Sequence, residues 1–424
     1  MLTLRKIRVA SGDWPAARRA AEYLLASRES PEAVAREIDR LAARASSPEA
    51  ERAPTAIWLG STPMLAQLGV EPGKRLVVKE LGRALQGREA KSGKRLRREG
   101  WIEKDLLDEH HRRVYDEQGR PCRIRVRGTR SVDLTLSAPK SVSVVWSVAA
   151  PPLRAEIEAA MLAAAEAMLE NMTLAKPVVP HLGALRLPHG FAAAAALHVL
   201  ARAARGAPFP APQLHVHCLV VGVERPDGLF AAPELWGMFS GGAPLEGGAV
   251  GRAKLAERLV ELGFEIVQED RYFEIAGVPP ELIAQMSSRT REVTAATRER
   301  EQEAGRELSN RERAAIALMT RMPKTDEALP ARTVAEWAEV TARFGFTAQR
   351  VEALREGHGF AADLEQRSAR VATAISGRRS PGRSPRSARA SRAILLECAA
   401  GRLRLAEAMA LADALPGAEE SAAA

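Results

Sequence analysis

Pro212-Gln213-Leu214-His215-Val216-His217 is the most informative segment of the chain, and the apolar run Cys218-Leu219-Val220-Val221-Gly222 follows it directly. The β-branched residues of the run predict a strand. Alternate side chains of a strand share a face, so His215 and His217 point the same way while Val216 packs into the opposite layer. Neutral imidazole is the commonest metal ligand in proteins, and a third donor completes such a site. The pair therefore indicates either part of a metal site or two polar residues on a solvated strand face.

The composition describes a folded, basic chain. Its 424 residues are 46% hydrophobic and 4% aromatic, and 62 Lys and Arg outnumber 53 acids to give a formal net charge of +9. This length is sufficient for two or three domains, and the positive balance favours a polyanionic partner. The three cysteines form no CxxC pair, so neither a disulfide framework nor a thiolate zinc site is predicted. With no apolar run near the roughly 20 residues of a membrane span and no signal-peptide core, the expected location is cytoplasmic.

Helix and strand patterns in the first half of the chain surround the histidine pair. Residues 13 to 29 predict a helix that is capped by an aspartate and carries Tyr23 near its far end. Residues 121 to 148 predict two strands, and residues 153 to 173 predict a long helix. Residues 192 to 201 leave helix and strand both open, because their alanines favour a helix while their position between strands favours a sheet.

The second half of the chain reads as more helical. Residues 252 to 263 predict a basic amphipathic helix, residues 264 to 275 a closing hairpin, and residues 280 to 360 charged helices. Residues 376 to 392 hold six arginines and no acid among Ser, Pro and Gly, which predicts a disordered basic linker. Residues 393 to 414 predict a short terminal helix.

Widely separated motifs of this chain resemble the relaxase domain of TrwC-type (MobF) conjugative relaxases, members of the His-hydrophobic-His (HUH) endonuclease superfamily. The matching blocks stand in the order of that family: Ala20-Ala21-Glu22-Tyr23, then Asp133-Leu134-Thr135-Leu136-Ser137-Ala138-Pro139-Lys140-Ser141-Val142-Ser143, then His198 with Arg202, then the Pro-Gln-Leu-His-Val-His stretch. A further match runs from Phe273 to Ile283 and continues with Ser287-Ser288-Arg289. The resemblance covers residues 1 to 310, with a weaker echo through residue 345.

We expect an α+β fold with an antiparallel sheet of about five strands backed by helices, the relaxase and Rep-like palm. His215 and His217 are expected on a central strand, with the site on the sheet face opposite most of the helices. We expect a relaxase domain at residues 1–310, followed at residues 311–360 by a helical extension that resembles the start of the relaxase–helicase connection. A basic Arg/Ser/Pro linker is expected at residues 361–392, and a short helix with a tail at residues 393–424.

The resemblance implies site- and strand-specific nicking of DNA at a plasmid or mobile-element transfer origin. A tyrosine oxygen attacks the scissile phosphate and leaves a 5′-phosphotyrosine and a free 3′ hydroxyl. A phenol has a pKa near 10 and is a poor nucleophile until its deprotonation is eased or the phosphate is neutralised. A divalent ion, Mg²⁺ or Mn²⁺, held by three histidines supplies the second effect. The implied partners are single-stranded or hairpin DNA at the transfer origin and relaxosome proteins.

The resemblance assigns catalytic roles to Tyr23 and Asp133 and metal binding to His198, His215 and His217. Tyr23 is the expected nucleophile, and the alternative is an ordinary helix residue that packs on the core. Asp133 either orients an imidazole or assists deprotonation of the phenol, and the alternative is an exposed strand aspartate. For His198, the alternative to a third metal ligand is a histidine on the face of an alanine-rich helix.

Three cations are predicted to bind DNA. Lys140 either positions phosphate, neutralises Asp133 or solvates the turn, and Arg202 either contacts phosphate or lies on the surface. Arg252, at the start of the basic amphipathic helix, is the third.

The chain departs from the family at several positions. Many relatives carry further tyrosines just after the first, whereas Leu24 and Leu25 follow Tyr23 here, which places a second strand-transfer step in doubt. Ala201 and Ala211 stand where relatives often have serine and aspartate, and the segment that follows Arg202 is longer than usual. No segment has Walker A spacing with Ser or Thr after the lysine, so no ATPase or helicase motif is predicted.

Two other classes of function remain open. A replication initiator of the same superfamily is a closer alternative, but the Ser-Ala-Pro-Lys block and the order of the motifs favour a conjugative relaxase over it. A DNA-binding module that has lost catalysis predicts binding without a covalent tyrosine adduct. A water-using, metal-dependent phosphodiesterase predicts turnover that survives Tyr23→Phe.

Overall fold

A computed structural model of this chain describes residues 2–25, 31–41, 54–106, 108, 113–174, 179–181, 184–202, 204–205, 207, 209–234, 238–240, 242–269, 272–320, 330–356, 359–378 and 388–415. The strands within these residues are β1 (Leu2–Ala10), β2 (Ala56–Gly60), β3 (Gly100–Asp105), β4 (Arg123–Ser137), β5 (Val179–His181), β6 (Ala184–Arg186), β7 (Phe191–Leu200), β8 (Pro212–Glu224), β9 (Phe230–Ala231), β10 (Ile266–Gln268) and β11 (Phe273–Ile275).

The helices of the described residues flank these strands. They are α1 (Trp14–Leu24), α2 (Pro31–Leu41), α3 (Thr62–Leu68), α4 (Val78–Leu85), α5 (Lys140–Val148), α6 (Pro151–Thr173), α7 (Ala243–Glu261), α8 (Pro280–Gln285), α9 (Ser288–Ala304), α10 (Asn310–Met319), α11 (Pro330–Arg343), α12 (Ala348–Ala353), α13 (Leu364–Arg378), α14 (Ala388–Ala399) and α15 (Leu405–Asp413). None of them is long and apolar enough to cross a membrane.

The main sheet is antiparallel and has the strand order β1-β4-β8-β7-β2. Two short strands lie off this path, because β3 pairs with β4 and β9 pairs with β8, which brings the sheet to seven strands. The strand with the two histidines, β8, stands in the middle of the five-strand path. The predicted α+β fold with an antiparallel sheet backed by helices is therefore confirmed.

Different helices cover the two faces of the sheet. The long helices α6 and α7 pack on one face, where Val216, Cys218 and Val220 of β8 join the larger core. The shorter helices α1, α3 and α4 pack on the other face, where Leu219 and Val221 contribute to a second core. The alternation along β8 places His215 and His217 on this second face, away from the two longest helices of the described chain.

One long strand replaces the two that the sequence predicts within residues 121 to 148. β4 runs without a turn through Gly128, where a Cβ atom would lie 2.3 Å from the Val9 carbonyl oxygen and 2.6 Å from Cδ1 of Ile102. The glycine therefore permits close approach of the neighbouring strands rather than a turn. The rest of the range is the buried helix α5, whose valines adopt a helix because tertiary packing overrides their strand propensity.

The alanine-rich segment is the strand β7. Its residues pair with β8 on one side and β2 on the other, and the alanines between Phe191 and Leu197 are buried. Two neighbouring strands satisfy its backbone groups, whereas a helix of ten residues is marginal on propensity alone. This arrangement decides the choice that the sequence left open.

The C-terminal residues form helices that pack against the main domain. Within the predicted basic linker, residues 364 to 378 form α13, where Arg367 donates to both carboxylate oxygens of Glu407 at 2.6 and 2.9 Å. The predicted short terminal helix is two helices, α14 and α15, and α14 packs against α7. The prediction of a disordered linker is thus wrong for α13 and for the start of α14. Arginine content alone does not reveal partners such as the one that Arg367 finds in Glu407. Residues 379 to 387 of the predicted linker lie outside the described residues.

Candidate active site

Two adjacent strands bring three histidines together. His198 of β7 lies directly opposite His215 of β8, and His217 follows on the same face of β8. The ring centroids are 5.0 to 5.4 Å apart, and one ligand nitrogen from each residue lies within 4.8 Å of the others. The predicted set of three histidines is therefore assembled by antiparallel register rather than by a helix.

Each imidazole is oriented by a different acceptor. His217 contacts Asp133 through Nδ1 at 3.0 Å, His215 contacts the Gln213 carbonyl through Nδ1 at 2.9 Å, and His198 contacts the Leu24 carbonyl through Nε2 at 2.8 Å. Carbonyls and carboxylates accept, so each of these ring nitrogens carries the proton. In a neutral ring the other nitrogen then keeps its lone pair, which is the form that binds a metal.

The donor set fits a divalent cation. Three neutral imidazoles on one side of a site leave positions for water or phosphate oxygen, as in catalytic metal sites. Imidazole suits Zn²⁺, Cu²⁺, Fe²⁺ and Ni²⁺, whereas Mg²⁺ and Mn²⁺ prefer oxygen. His198, His215 and His217 are therefore suited to hold a divalent metal, and the identity of the ion is a separate question.

Tyr23 lies beside the histidines at the end of α1. Asp13 caps the start of this helix by accepting from the Ala16 N–H at 3.1 Å. Ala17 and Ala21 are buried in the second core and dock the helix on the histidine face of the sheet. The Tyr23 ring meets the His217 ring edge-on, with centroids 5.9 Å apart. The structure thus places the predicted nucleophile next to the predicted metal ligands.

Asp133 lies on β4 beside β8 and is only 6% exposed, which excludes the exposed-aspartate alternative. Both of its carboxylate oxygens contact Nδ1 of His217, which is the contact that an orienting role would use. Thr135, which was not among the predicted site residues, has its Oγ1 3.1 Å from His217 Nδ1 and 3.4 Å from Asp133 Oδ1. The signal for Thr135 was its position two residues after Asp133, on the same face of the strand.

The Ser-Ala-Pro-Lys block clamps the start of the histidine strand. Lys140 donates from Nζ to the Pro212 carbonyl at 2.8 Å, and Gln213 donates from Nε2 to the Ala138 carbonyl at 2.9 Å. The Leu214 N–H donates to Ser143 Oγ at 3.0 Å. The two motifs that resemble the family are therefore bonded to each other, and together they fix the register from which His215 projects.

The environment of Lys140 is unusual for a cation. Burial lowers the pKa of Lys140 to about 7, against the opposing effect of the nearby Glu274 carboxylate. Burial also raises the pKa of Glu274, which accepts from the Ser141 N–H at 2.8 Å. Since its ammonium group already donates to a protein carbonyl, Lys140 supports the site from within the fold.

The other two predicted DNA-binding cations lie in different places. Arg202 is half-buried just beyond the end of β7, four residues after His198. Arg252 lies on α7, on the opposite face of the sheet, and donates from Nη2 to Glu397 at 2.7 Å. The structure therefore does not bring Arg252 to the site. The sequence could not predict this, because a basic amphipathic pattern does not tell which face of the sheet a helix covers.

An arm formed by β3 and β4 presents an aromatic and basic surface that the sequence analysis missed. Trp101 is 53% exposed, and the guanidinium carbons of Arg125 and Arg127 lie 5.7 and 4.7 Å from its ring centroid. The arginines alternate along β4, which was the available signal. Arginine beside an exposed aromatic ring is a common feature of surfaces that bind single-stranded nucleic acid.

This sheet, with its histidine site and the helix that carries Tyr23, is the architecture of a relaxase domain, as the comparisons with known proteins make clear. The model of the TrwC relaxase family matches residues 17–344, and the chain belongs to this family. No curated protein matches the chain.

Solved structures with the same fold include three complexes of the conjugative relaxase TrwC. The metal-free complex with OriT DNA is 22% identical with a TM-score of 0.53, and the metal-bound complex is 23% identical with a TM-score of 0.52. A complex with a 27-mer DNA comprising the recognition hairpin and the cleavage site is 22% identical with a TM-score of 0.52. Each match covers 81% of this chain and 99% of that chain.

Proposed function

We propose that this protein nicks one strand of DNA at the transfer origin of a plasmid or mobile element, with Tyr23 as the nucleophile. The observation that carries the proposal is the edge-on contact of the Tyr23 ring with His217, within a cluster of three histidines. Membership of the TrwC relaxase family supports the reaction class. The three cysteines are free thiols, which supports action in the cytoplasm.

The reaction needs a charged phosphate to accept a phenolic oxygen. A divalent cation bound by His198, His215 and His217 would withdraw charge from a non-bridging phosphate oxygen. We propose Mg²⁺ or Mn²⁺ in the cell, with DNA phosphate and water supplying the oxygen ligands that these ions prefer. Asp133 keeps the proton on His217 Nδ1, so that Nε2 remains a donor to the cation.

The proposed reaction is a transesterification, in which one bond from phosphorus to oxygen replaces another. The Tyr23 oxygen forms a bond to phosphorus while the bond from phosphorus to the 3′ oxygen breaks. The phenolic proton leaves Tyr23, and the released 3′ oxygen ends as a hydroxyl. The phosphodiester energy is kept in the 5′-phosphotyrosyl bond, and the same chemistry in reverse rejoins the strand.

We propose that DNA reaches the histidine site along the side of the molecule that carries the β3–β4 arm. We infer that Trp101, with Arg125 and Arg127, stacks on bases or contacts phosphates of a hairpin or single strand. Arg202, at the end of the strand that carries His198, is the proposed phosphate contact nearest the histidines. Relaxosome proteins remain proposed partners.

The test uses the whole protein, Mn²⁺ or Mg²⁺, and single-stranded oligonucleotides tiled across the element that carries the gene. We expect cleavage that leaves the protein bound to the 5′ end of the downstream fragment and releases the upstream fragment with a 3′ hydroxyl, and we expect Tyr23→Phe to lose both cleavage and the protein adduct. Tyr272→Phe is the matched control, because Tyr272 is 48% exposed and stands just before β11, in a two-stranded sheet separate from the main sheet.

The same assay separates the two other classes of function. Cleavage that survives Tyr23→Phe and leaves no protein on the DNA would identify a water-using phosphodiesterase. Binding of an oligonucleotide by the wild-type protein, without cleavage under any metal, would identify a DNA-binding module. Either result would overturn the proposed function.

A further inference from the structure

We propose that His198 has a second role, as a positioning residue that fixes the end of α1 and hence Tyr23. The proposal rests on the proposed function for the meaning of Tyr23, but its structural basis is separate. His198 Nε2 lies 2.8 Å from the carbonyl oxygen of Leu24, the residue that follows the nucleophile. One imidazole thus links the metal site to the nucleophile helix.

The hydrogen bond from His198 to the Leu24 carbonyl is formed at the C-terminal end of α1. The last carbonyls of an α-helix have no intrahelical donor and must find one elsewhere. α1 ends at Leu24, and the next residue, Leu25, donates back to the Ala21 carbonyl at 3.0 Å. Leu24 is 3% exposed and His198 is 2% exposed, so water is a poor substitute at this position.

The two roles of His198 use different ring nitrogens. A carbonyl only accepts, so Nε2 carries the proton and Nδ1 is the nitrogen that would bind a cation. His215 and His217 differ, because their Nδ1 atoms contact Gln213 and Asp133. Gln213 lies on β8 and Asp133 on β4 rather than on α1, so loss of His215 removes a proposed metal ligand and leaves the bond between His198 and the helix end in place.

The expected effect is local to the last turn of α1. The start of the helix is held by the Asp13 cap, and its middle by the buried Ala17 and Ala21. The His198 bond lies beyond both, next to Tyr23. Without this bond, the final turn frays more often, and the hydroxyl spends less time beside the metal site.

The test measures amide hydrogen exchange in the metal-free protein, without DNA, so it does not depend on nicking. We expect His198→Ala to speed exchange of the Tyr23, Leu24 and Leu25 amides by about five- to tenfold, the factor that corresponds to one hydrogen bond. His215→Ala, the matched control, should leave these amides at the wild-type rate. Exchange in α6, in the other core, reports whether either variant has altered the whole fold.

A third variant tests the role of the ring nitrogen. The side-chain amide of His198→Gln places a donor near the position of Nε2, so this variant should lose metal binding yet keep exchange at the helix end near the wild-type rate. The proposal is overturned if His198→Gln exchanges as fast as His198→Ala, or if His198→Ala and His215→Ala do not differ. If His198→Ala fails to fold, His198→Leu, which fills the space but donates no hydrogen bond, takes its place in both comparisons. A failure here, with nicking still lost in Tyr23→Phe, would leave the proposed function intact.

Discussion

Asp133 holds the imidazole of His217, with its two carboxylate oxygens 3.0 and 3.1 Å from Nδ1. Both residues are buried, and they come from neighbouring strands of the sheet. The pair fixes which ring nitrogen carries the proton and which faces the other histidines. A carboxylate outside the cluster of three histidines thereby sets the orientation of one ring within it.

Asp133→Asn should weaken metal binding. The amide is neutral and presents either an acceptor or a donor to the ring, so it stabilises the required tautomer less well than the carboxylate does. Loss of such an outer partner usually lowers metal affinity by roughly 10- to 100-fold. Calorimetric titration with Mn²⁺ or Ni²⁺ measures the change. Asp116→Asn, in an exposed turn, is the control, and equal affinity in both variants would contradict the orienting role.

The order of metal affinities should follow the imidazole donor set. We expect Cu²⁺, Ni²⁺ and Zn²⁺ to bind more tightly than Mn²⁺, and Mn²⁺ more tightly than Mg²⁺. His217→Ala should weaken binding of each ion, whereas His189→Ala, which changes an exposed histidine outside the cluster, should not. Competition titrations with a fluorescent chelator measure the order. Tighter binding of Mg²⁺ than of Ni²⁺ would show that the three rings are not the ligands.

Much of this site follows from local pattern, and the rest does not. The period of two in β8 places His215 and His217 on one face, and Asp133 stands on the corresponding face of β4 by the same rule. The location of His198 depended on β7 being a strand, which its own alanines could not decide. Only the pairing with β2 and β8 determined it.

The corrected predictions for Arg252 and for the basic linker share one physical cause. The side of the sheet that a helix covers depends on contacts between residues far apart in sequence, as with Arg252 and Glu397. The same is true of Arg367 and Glu407, whose ion pair joins α13 to α15 within a segment predicted in part as a linker. Composition reports the charge of such residues but not their partners.

The stability of the fold should depend on the protonation of Lys140. Its pKa in the folded protein is about 7, below the ordinary 10.5, so between these values the unfolded chain binds more protons. The free energy of unfolding should therefore rise with pH from 7 towards 10.5, by up to about 1.4 kcal/mol per pH unit from this group. Below pH 7 the penalty for charging Lys140 is fully present.

Urea unfolding at pH 7, 8 and 9 tests this dependence. Lys140→Met should reduce the rise in the free energy of unfolding over this range, because it removes the buried titrating group. Lys79→Met, at an exposed position on α4, should keep the wild-type slope. A slope in Lys140→Met equal to that of the wild type would contradict the burial of this ammonium group.

Trp101→Ala should weaken binding of DNA without changing metal affinity. Loss of one stacking platform typically costs about 1–3 kcal/mol of binding free energy, which corresponds to roughly 5- to 150-fold in affinity. Trp101→Phe should keep most of the affinity, because a ring remains for stacking. Fluorescence anisotropy with a labelled hairpin oligonucleotide, at fixed salt, measures both. No loss of affinity in Trp101→Ala would remove the β3–β4 arm from the DNA surface.

The identity of the residue that becomes covalently bonded to DNA tests the role of Tyr23 directly. The protein is allowed to react with an oligonucleotide that it cleaves and is then digested with nuclease and trypsin. Mass spectrometry should find a nucleotide phosphate on Tyr23 within the peptide Ala20–Arg28. Absence of that mass in Asp133→Asn and His217→Ala at limiting metal would connect the adduct to the histidine site. A nucleotide on Tyr115 or Tyr272, or complete cleavage with no modified peptide, would contradict the assignment of Tyr23 as the nucleophile.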